Sequence, residues 1–237
     1  MRVFLAGATG AIGRRLVPLL LRAGHEVTGT TRSAERGEAL AKAGVTPAVL
    51  DVYDAPALAA AMRGARPEIV IHQLTDLPQD LAKLAESYPA NARIRTEGTN
   101  NLLAGARETG ARRLVVQSIA FIYQPGGEPH PETDPLNFAD PLRGETIRGN
   151  SEMERLVLAA PGMTTVVLRY GFLYGPGTWY ETATTDPPVV HVDAAAQAAL
   201  LAVIKGAGVY NIAEDDGAVA IDKARRELGF DPGFRLG

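Results

Sequence analysis

Strand-like runs alternate with segments of helical periodicity along most of this sequence. Runs that fit strands lie at residues 3–6, 25–31, 46–50, 69–72, 114–117 and 165–168. Segments that fit helices lie at residues 11–23, 33–43, 55–62, 94–108, 145–158 and 194–204. Strands that alternate with helices form right-handed crossovers, which make the sheet parallel and cover both of its faces. The sequence therefore predicts an α/β fold with a doubly wound parallel sheet.

The composition limits the kinds of partner. A net charge of -3 over 237 residues gives neither the basic surface that nucleic acids require nor a basic membrane patch. No apolar run approaches the roughly 20 residues of a membrane span, and the N-terminal run is too short for a signal peptide. The absence of cysteine excludes disulfides and thiolate metal sites, and the histidines lack metal-ligand spacing. We expect a single cytoplasmic domain over residues 1–237 that binds a small molecule and no metal.

The first strand-to-helix turn reads GATGAIG and spans residues 7–13. Gly7 permits a tight turn, Gly10 lets the backbone approach a pyrophosphate, and Gly13 allows the helix to pack closely on the strand. The helix N-terminus then offers amide groups and the positive end of its dipole to phosphates. This turn predicts a dinucleotide site. Its predicted contacts are Gly7, Thr9, Gly10, Ala11, Ile12 and Gly13.

The end of the second predicted strand bears on the choice between NAD(H) and NADP(H). An acidic residue there would bind the ribose 2′-hydroxyl of NAD, but the chain has no acid from Thr30 to Ala34, and the first one is Glu35. A guanidinium with neighbouring hydroxyls suits a 2′-phosphate. We therefore expect NADP(H) to be preferred over NAD(H), with contacts from Thr31, Arg32, Ser33 and Arg36. The alternative is that Arg32 is only a solvated loop charge.

Further motifs follow the glycine turn along the chain. They read DV at 51–52, VIHQLT at 70–75, EGTNNLL at 97–103, LRYGFLYGPG at 168–177, HVDAAA at 191–196, YNIAED at 210–215 and RRELGF at 225–230. Together with GATGAIG, they resemble the extended short-chain dehydrogenase/reductase family, also called the NAD-dependent epimerase/dehydratase family. The resemblance covers essentially the whole chain and implies a Rossmann-like fold. The further cofactor contacts that it implies are Asp51, Val52, Gln73, Leu74, Thr75, Ser118, Tyr170, Gly171, Phe172 and Leu173.

The sequence departs from the family at its catalytic positions. The family's tyrosine and lysine, which move a proton, fall on Thr146 and Asn150. Its usual serine or threonine falls on Ile119, directly after Ser118. None of the usual catalytic set is therefore present, and the remaining candidates for a proton donor are Tyr123 and Ser118.

The C-terminal part of the chain is short for this family. About 13 residues separate Gly177 from His191, where the family places a longer substrate-binding insertion. The resemblance thus implies a cofactor-binding core at residues 1–170 and a reduced substrate-binding part at residues 171–237, with a wide or open pocket. Aromatic residues near that pocket suit a large flat substrate. The predicted substrate contacts are Phe121, Tyr123, Thr146, Trp179 and Tyr180.

Three functions remain open from the sequence. The first is an NADPH-dependent ketoreductase for a polycyclic aromatic ketone whose own phenolic hydroxyl supplies the proton, similar to atypical family members of antibiotic tailoring such as angucyclinone ketoreductases. The second is a non-catalytic NADP(H)-binding sensor or scaffold. The third is another activity on this fold, namely C=C reduction, epimerisation or dehydration. The chain is expected to be a monomer or a homodimer. Arginines on the helices that family members use for dimerisation indicate a solvated face and favour a monomer: Arg93, Arg95, Arg107, Arg148 and Arg155.

Overall fold

The computed structural model describes residues 1–78 and 80–237. Its strands are β1 (Arg2–Ala6), β2 (Glu26–Thr31), β3 (Thr46–Val49), β4 (Ile69–His72), β5 (Arg113–Ile119), β6 (Thr164–Tyr170), β7 (Phe172–Tyr174), β8 (Val189–His191) and β9 (Gly208–Ile212). Within these residues, seven strands form one parallel sheet in the order β3-β2-β1-β4-β5-β6-β9. Strands β7 and β8 pair as a small separate sheet. The predicted doubly wound parallel sheet is confirmed.

Helices cover both faces of the sheet. They are α1 (Ala11–Arg22), α2 (Ala34–Lys42), α3 (Ala55–Ala65), α4 (Leu84–Arg93), α5 (Thr99–Thr109), α6 (Gly144–Leu158) and α7 (Val192–Leu201). One hydrophobic core joins α1, α2 and α7 to the sheet, and a second core joins α3, α5 and α6 to its other face. In the described part of the chain, no helix has both the length and the apolar character needed to cross a membrane.

The first strand shows how the sequence produces two cores. Val3 and Leu5 pack into the core with α1, whereas Phe4 and Ala6 pack into the core on the opposite face. Because side chains alternate between the faces of a strand, a strand that is covered on both faces must be apolar throughout. This explains the continuous run at residues 3–6 and places the glycine turn at the carboxyl end of a rigid central strand.

Three features around α4 and α5 differ from the sequence-based expectation. Helix α4 was not predicted, because Pro89 lies inside it and interrupts its periodicity. The predicted helix at 94–108 begins with a π-helical turn, Ile94–Gly98, that directly continues α4. That turn places Arg95 in the interior, where it is only 2% exposed. The expectation that Arg95 lies on a solvated face is therefore wrong, whereas the other four arginines of that set are exposed: Arg93, Arg107, Arg148 and Arg155.

Candidate active site

At two of the three glycines in the first turn, the surrounding backbone leaves no space for a side chain. Gly7 has a φ of +93°, and a Cβ on it would lie 2.8 Å from the carbonyl oxygen of Gln73. A Cβ on Gly13 would lie 2.1 Å from the carbonyl oxygen of Gly7. Neither position accepts a side chain without moving backbone. The predicted roles of these residues in the tight turn and in close helix packing therefore have a direct geometric basis.

Gly10 differs, because the protein leaves room for a side chain there. Its φ is -74°, and a Cβ would be 3.4 Å from its nearest neighbour, the carbonyl oxygen of Gly7. Gly10 is exposed and is the N-cap of α1, and no side chain of the described residues caps this helix. An uncapped helix N-terminus beside an unobstructed backbone fits the phosphates of a dinucleotide.

The other residues predicted around this turn have different surroundings. The side chain of Ile12 is 3% exposed and belongs to the core with α1, so only its backbone amide faces the turn. Thr9 and Ala11 are half-buried at the turn itself. A phosphate at this helix end would therefore be held by backbone amides, because these side chains carry no positive charge.

The hydroxyls after β2 support the turn and remain available as donors. Thr31 Oγ1 accepts a hydrogen bond of 3.2 Å from the backbone of Ser33. Ser33 Oγ caps α2 by accepting a hydrogen bond of 3.3 Å from the backbone of Arg36, whose own side chain is exposed. Each hydroxyl oxygen therefore acts as an acceptor within the turn while its hydrogen can still be donated to a phosphate.

Arg32 is not simply a solvated charge. Its Nη2 lies 3.3 Å from Asp76 Oδ1, and the arginine side chain is 66% exposed. Asp76 belongs to the segment that follows β4, so this pair spans the space between the ends of two strands. A 2′-phosphate at Arg32 would compete with the Asp76 carboxylate for the guanidinium.

The residues that follow β3 lie at the carboxyl edge of the sheet, as the glycine turn does. Asp51 is exposed, and its Oδ1 accepts a hydrogen bond of 3.0 Å from the backbone of Tyr53. The side chain of Val52 is 8% exposed, and its carbonyl accepts a hydrogen bond of 3.0 Å from Asn101 Nδ2. The predicted cofactor contacts Asp51 and Val52 are thus held in a fixed turn, and no described residue donates a hydrogen bond to Asp51 Oδ2.

The segment after β4 contributes Gln73, Leu74 and Thr75. The backbone amide of Gln73 donates to Ala6 at 2.9 Å, and its Nε2 lies 3.4 Å from the Tyr170 hydroxyl. Gln73 Oε1 is buried and accepts no hydrogen bond from any described residue. Leu74 and Thr75 are half-buried beside it. Burial raises the pKa of Tyr170, so this residue is a neutral part of the site wall at physiological pH.

The segment after β6 is held closely against its neighbours. Gly171 is buried, and a Cβ on it would lie 2.7 Å from the carbonyl oxygen of Pro188. Phe172 and Leu173 form β7 and are half-buried. The backbone of Phe172 donates to Pro188 at 2.8 Å. The predicted cofactor contacts therefore follow directly from the carboxyl ends of β1, β2, β3, β4 and β6, which is where ligands bind in open α/β sheets.

The positions of the missing tyrosine and lysine lie in a closed region. Asn150 is 1% exposed, and its Nδ2 donates to the Thr146 carbonyl at 2.9 Å. Asn150 Oδ1 is buried without a partner among the described residues. Thr146, Asn150 and Arg95 contribute to the lining of a cavity of about 10 Å³, which is close to the smallest volume that holds one water molecule. Ile119, at the third catalytic position, is half-buried at the end of β5.

The two candidate proton donors lie in one buried network. Ser118 donates to Glu154 Oε1 at 2.6 Å, and Arg169 forms a two-pronged ion pair with the same carboxylate at 3.0 and 2.6 Å. Arg169 Nη1 also donates to the Tyr123 hydroxyl at 2.9 Å, and that hydroxyl donates to Asn211 Oδ1 at 2.7 Å. Burial raises the pKa of Tyr123, although the adjacent Arg169 opposes the shift. These contacts favour a structural role for both hydroxyls, and their assignment as proton donors stays a prediction.

Two of the predicted aromatic contacts lie face to face. The rings of Phe121 and Phe172 are 3.9 Å apart between centroids and almost parallel, at 6°. Trp179 donates from Nε1 to the Pro78 carbonyl at 3.0 Å, so it contacts the segment after β4. Tyr180 is half-buried and forms an isolated bridge with Tyr174. The structure thus brings two of the aromatics together and places the other two in a separate loop.

Sequence reasoning missed several charged groups at this edge of the sheet. Arg143 lies beside the Phe121–Phe172 pair, Asp76 pairs with Arg32, and Arg95 is buried next to Asn150. The signal for Arg143 is its position directly before the helix that carries Thr146. Asp76 and Arg95 left no such signal, because their placement depends on contacts between segments distant in sequence.

A family model described as NAD(P)H-binding matches residues 7–208. The chain belongs to this NAD(P)H-binding family. UDP-glucose 4-epimerase from Thermus thermophilus, solved in complex with NAD, superposes with a TM-score of 0.80 at 22% identity and covers 100% of this chain and 95% of that chain. This likeness shows the fold, and it agrees with the family resemblance found in the motifs.

Two curated relatives are reductases. A 3-diazoavenalumate denitrifying reductase from a Streptomyces species is 40% identical over 98% of this chain and 83% of its own length. A 4-hydroxy-2-methyl-3-oxo-4-farnesyl-3,4-dihydroquinoline-1-oxide ketoreductase from Stigmatella aurantiaca is 30% identical over 74% of this chain, which spans about half, 51%, of that relative. The chain is therefore an oxidoreductase that uses a nicotinamide cofactor, which favours the enzyme interpretation over a non-catalytic sensor.

Proposed function

We propose that this enzyme reduces an aromatic diazo group with NADPH and releases dinitrogen, a reaction that needs no proton from the protein. The observation that carries the proposal is the state of the catalytic positions. Thr146 and Asn150 replace an acid and a cation, and the Ser118 and Tyr123 hydroxyls are bound within the Glu154–Arg169 network. The relative with 40% identity is named for removing nitrogen from a diazo compound.

The chemistry of the substrate explains why these positions need no acid. Reduction of a ketone develops an alkoxide, which requires a proton or a strong hydrogen bond in the transition state. In an aryldiazonium, hydride replaces N₂ on the ring carbon, so that a C–H bond forms as the C–N bond breaks, and no alkoxide develops. Where an ortho hydroxyl is ionised, as in the substrate tested below, the product phenolate takes its proton from water. Bound NADPH supplies that hydride, so that ArN₂⁺ and NADPH give ArH, N₂ and NADP⁺. The enzyme's task is then to hold the two reactants in contact and to exclude water.

The residues at the carboxyl edge of the sheet suit this task. The amides around Gly10 would hold the diphosphate, and the backbone after β4 and β6 would hold the nicotinamide end of the cofactor. Phe121 and Phe172 offer an aromatic surface against which a flat ring packs. Arg32, with the Thr31 and Ser33 hydroxyls, supports the preference for NADPH, because these groups would bind the 2′-phosphate.

A turnover assay tests the proposal. The purified enzyme would receive NADPH and the diazonium salt of meta-amino-para-hydroxycinnamate, and N₂ and NADPH would be followed together. We expect para-hydroxycinnamate as the product, and Thr146→Val should retain kcat within about twofold because its hydroxyl does not act as an acid. Diazonium loss at the rate of the enzyme-free reaction, or loss of activity in Thr146→Val, would argue against the proposal.

A second candidate is reduction of an aromatic ketone that carries its own proton donor. The name of the relative from Stigmatella aurantiaca places a hydroxyl beside the ketone that is reduced, and such a hydroxyl can stabilise the alkoxide inside the substrate. A hydroxyanthraquinone and acetophenone, each assayed with NADPH, distinguish the two candidates. Turnover of the hydroxyanthraquinone without turnover of the diazonium would favour the ketone. Equal turnover of acetophenone would remove the need for assistance by the substrate.

A further inference from the structure

Arg143 lies beside the aromatic pair and forms no direct ion pair with any described residue. It is the half-buried residue directly before α6. Its guanidinium carbon is 5.6 Å from the centroid of Phe121 and 5.3 Å from that of Phe172. The two centroids are only 3.9 Å apart, so a point almost equally distant from both must lie beside the stack and not over an outer face.

This position gives the guanidinium little stabilisation from the rings. The faces of an aromatic ring are negative and its edges are positive, so a cation gains attraction over a face and not at an edge. The N-terminal end of a helix is also unfavourable for a cation and favourable for an anion. Arg143 therefore lies in surroundings that favour an anion next to it.

No described residue pairs directly with the guanidinium, although backbone hydrogen bonds and, to a lesser extent, the nearby charge of Arg143 lower the pKa of Asp140. Asp140 lies in the same turn, but its Oδ1 accepts the backbone amides of Leu142 and Arg143, each at 2.8 Å. Across residues 1–78 and 80–237, no hydrogen bond or ion pair reaches the Arg143 guanidinium. Other arginines of α6 differ in this respect, since Arg148 donates to the Phe138 carbonyl at 2.8 Å and Arg155 binds Glu152 at 2.6 Å.

We propose that Arg143 binds the carboxylate of an aromatic acid substrate while its ring or conjugated chain packs on Phe121 and Phe172. This inference rests on the proposed function, because it assigns a substrate class to the same site. Guanidinium and carboxylate form two parallel hydrogen bonds of matching geometry. Thr146 follows Arg143 by one helical turn, so the acid would be anchored at the edge where the catalytic positions lie. The substrate in the name of the diazo relative is likewise a carboxylate.

Equilibrium binding tests this inference independently of turnover. The probes are para-hydroxycinnamate and its methyl ester, which share a ring and chain but differ in charge. Each would be titrated by calorimetry into the NADP⁺ complexes of the wild-type enzyme, Arg143→Gln and Arg143→Lys. Arg107→Gln is the matched control, since it removes the same charge from an exposed position on α5. Melting curves would verify that every variant is folded.

The expected results follow from the strength of a charged hydrogen bond. The wild-type enzyme should bind the acid at least about tenfold more tightly than the ester, and Arg143→Gln should remove that difference. Arg143→Lys should restore part of it, and Arg107→Gln should bind like the wild type. Affinity for NADP⁺ should change by less than about twofold in Arg143→Gln.

Other results would overturn the inference. Equal binding of acid and ester, weak binding of both, or an equal loss of acid and NADP⁺ binding in Arg143→Gln would each show that Arg143 does not select a carboxylate. The failure of the proposed function is distinguishable, because it would leave the diazonium unreduced while the difference between acid and ester persists. Conversely, equal turnover of the diazonium acid and its ester would refute the inference and leave the proposed function intact.

Discussion

The Glu154 carboxylate and the Arg169 guanidinium form an ion pair at 2.6 Å in which each side chain is only 6% exposed. The pair connects α6 to β6. Ser118 donates a hydrogen bond to its carboxylate, and its guanidinium donates one to the Tyr123 hydroxyl, so the four side chains form one network. Arg169 also donates to the carbonyl of Glu132, in the long loop before α6, at 3.0 Å. This network therefore holds the helix, the sheet and the loop around the candidate site together.

Neutralising the acid of this pair should destabilise the protein strongly. In Glu154→Gln, Arg169 remains buried beside a neutral partner, and a loss of about 3–5 kcal/mol in unfolding free energy is expected. Glu152→Gln is a sharp control, because Glu152 and Arg155 also lie 2.6 Å apart on α6 but are exposed. Its loss should be much smaller, because solvent screens an exposed pair. Urea unfolding measures both, and equal losses would show that burial does not set the strength of the pair.

Alanine substitutions in the glycine turn should separate folding from cofactor binding. Gly10→Ala should unfold at nearly the wild-type temperature, because its Cβ would meet only the Gly7 carbonyl, at 3.4 Å. Its affinity for NADPH should nevertheless fall at least about tenfold, because the methyl group occupies the space of the phosphates. Gly13→Ala should lower the melting temperature markedly, since its Cβ would lie 2.1 Å from an oxygen. A Gly10→Ala variant with unchanged NADPH affinity would contradict this account of the turn.

Arg32 and Asp76 should have opposite effects on the choice of cofactor. Arg32→Gln is expected to weaken NADPH binding at least about tenfold and to leave NADH binding within about twofold, because only NADPH carries the 2′-phosphate. Asp76→Asn should strengthen NADPH binding, since it frees the guanidinium that Asp76 holds at 3.3 Å. Fluorescence titrations measure these affinities, with Arg107→Gln as the control for charge. Tighter binding of NADH than of NADPH by the wild type would refute the expected preference.

His72 should make the fold sensitive to mild acid. Burial, with a smaller contribution from Arg95, lowers its pKa from 6.5 to about 3. In the folded protein the ring stays neutral, while in the unfolded chain it takes up a proton below pH 6.5. Stability is therefore full above this value and falls by about 1.4 kcal/mol per pH unit as pH decreases towards about 3.

A variant without this histidine isolates the effect. Between about pH 7.5 and about pH 5, the wild type should lose about 2 kcal/mol more unfolding free energy than His72→Gln. Urea unfolding at the two pH values gives the difference. Parallel losses in both proteins would assign the acid sensitivity to other groups.

The parts of the fold that depend on local sequence were predictable. Alternating periodicities located the strands that carry the site, and the demand for a positive φ at Gly7 follows from the tight turn itself. The order of the motifs along the chain also indicated the family that the sequence resembles. The short pair β7 and β8 was not predicted, because three residues provide too few positions for a periodic pattern.

The charged part of the site was less predictable, because partners are chosen by tertiary packing. Glu154 and Arg169 are ordinary charged residues in the sequence, and only the meeting of α6 with β6 makes them a buried pair. Arg95 lies at the start of a segment, 94–108, that fits a helix with a solvated face, but the π-helical turn at Ile94–Gly98 turns it inward. The hydrogen bond from Tyr123 to Asn211, which is 88 residues away, likewise could not be predicted from the sequence.

The most direct test of the central claim is the nitrogen balance of a single reaction mixture. The enzyme would be given NADPH and a diazonium salt of meta-amino-para-hydroxycinnamate with both diazo nitrogens labelled as ¹⁵N, and the gas would be analysed by mass spectrometry. We expect labelled N₂, oxidised cofactor and para-hydroxycinnamate in equal amounts, formed only when enzyme and NADPH are both present. Labelled N₂ without oxidation of NADPH, or oxidation of NADPH with the label kept in the aromatic product, would contradict the claim.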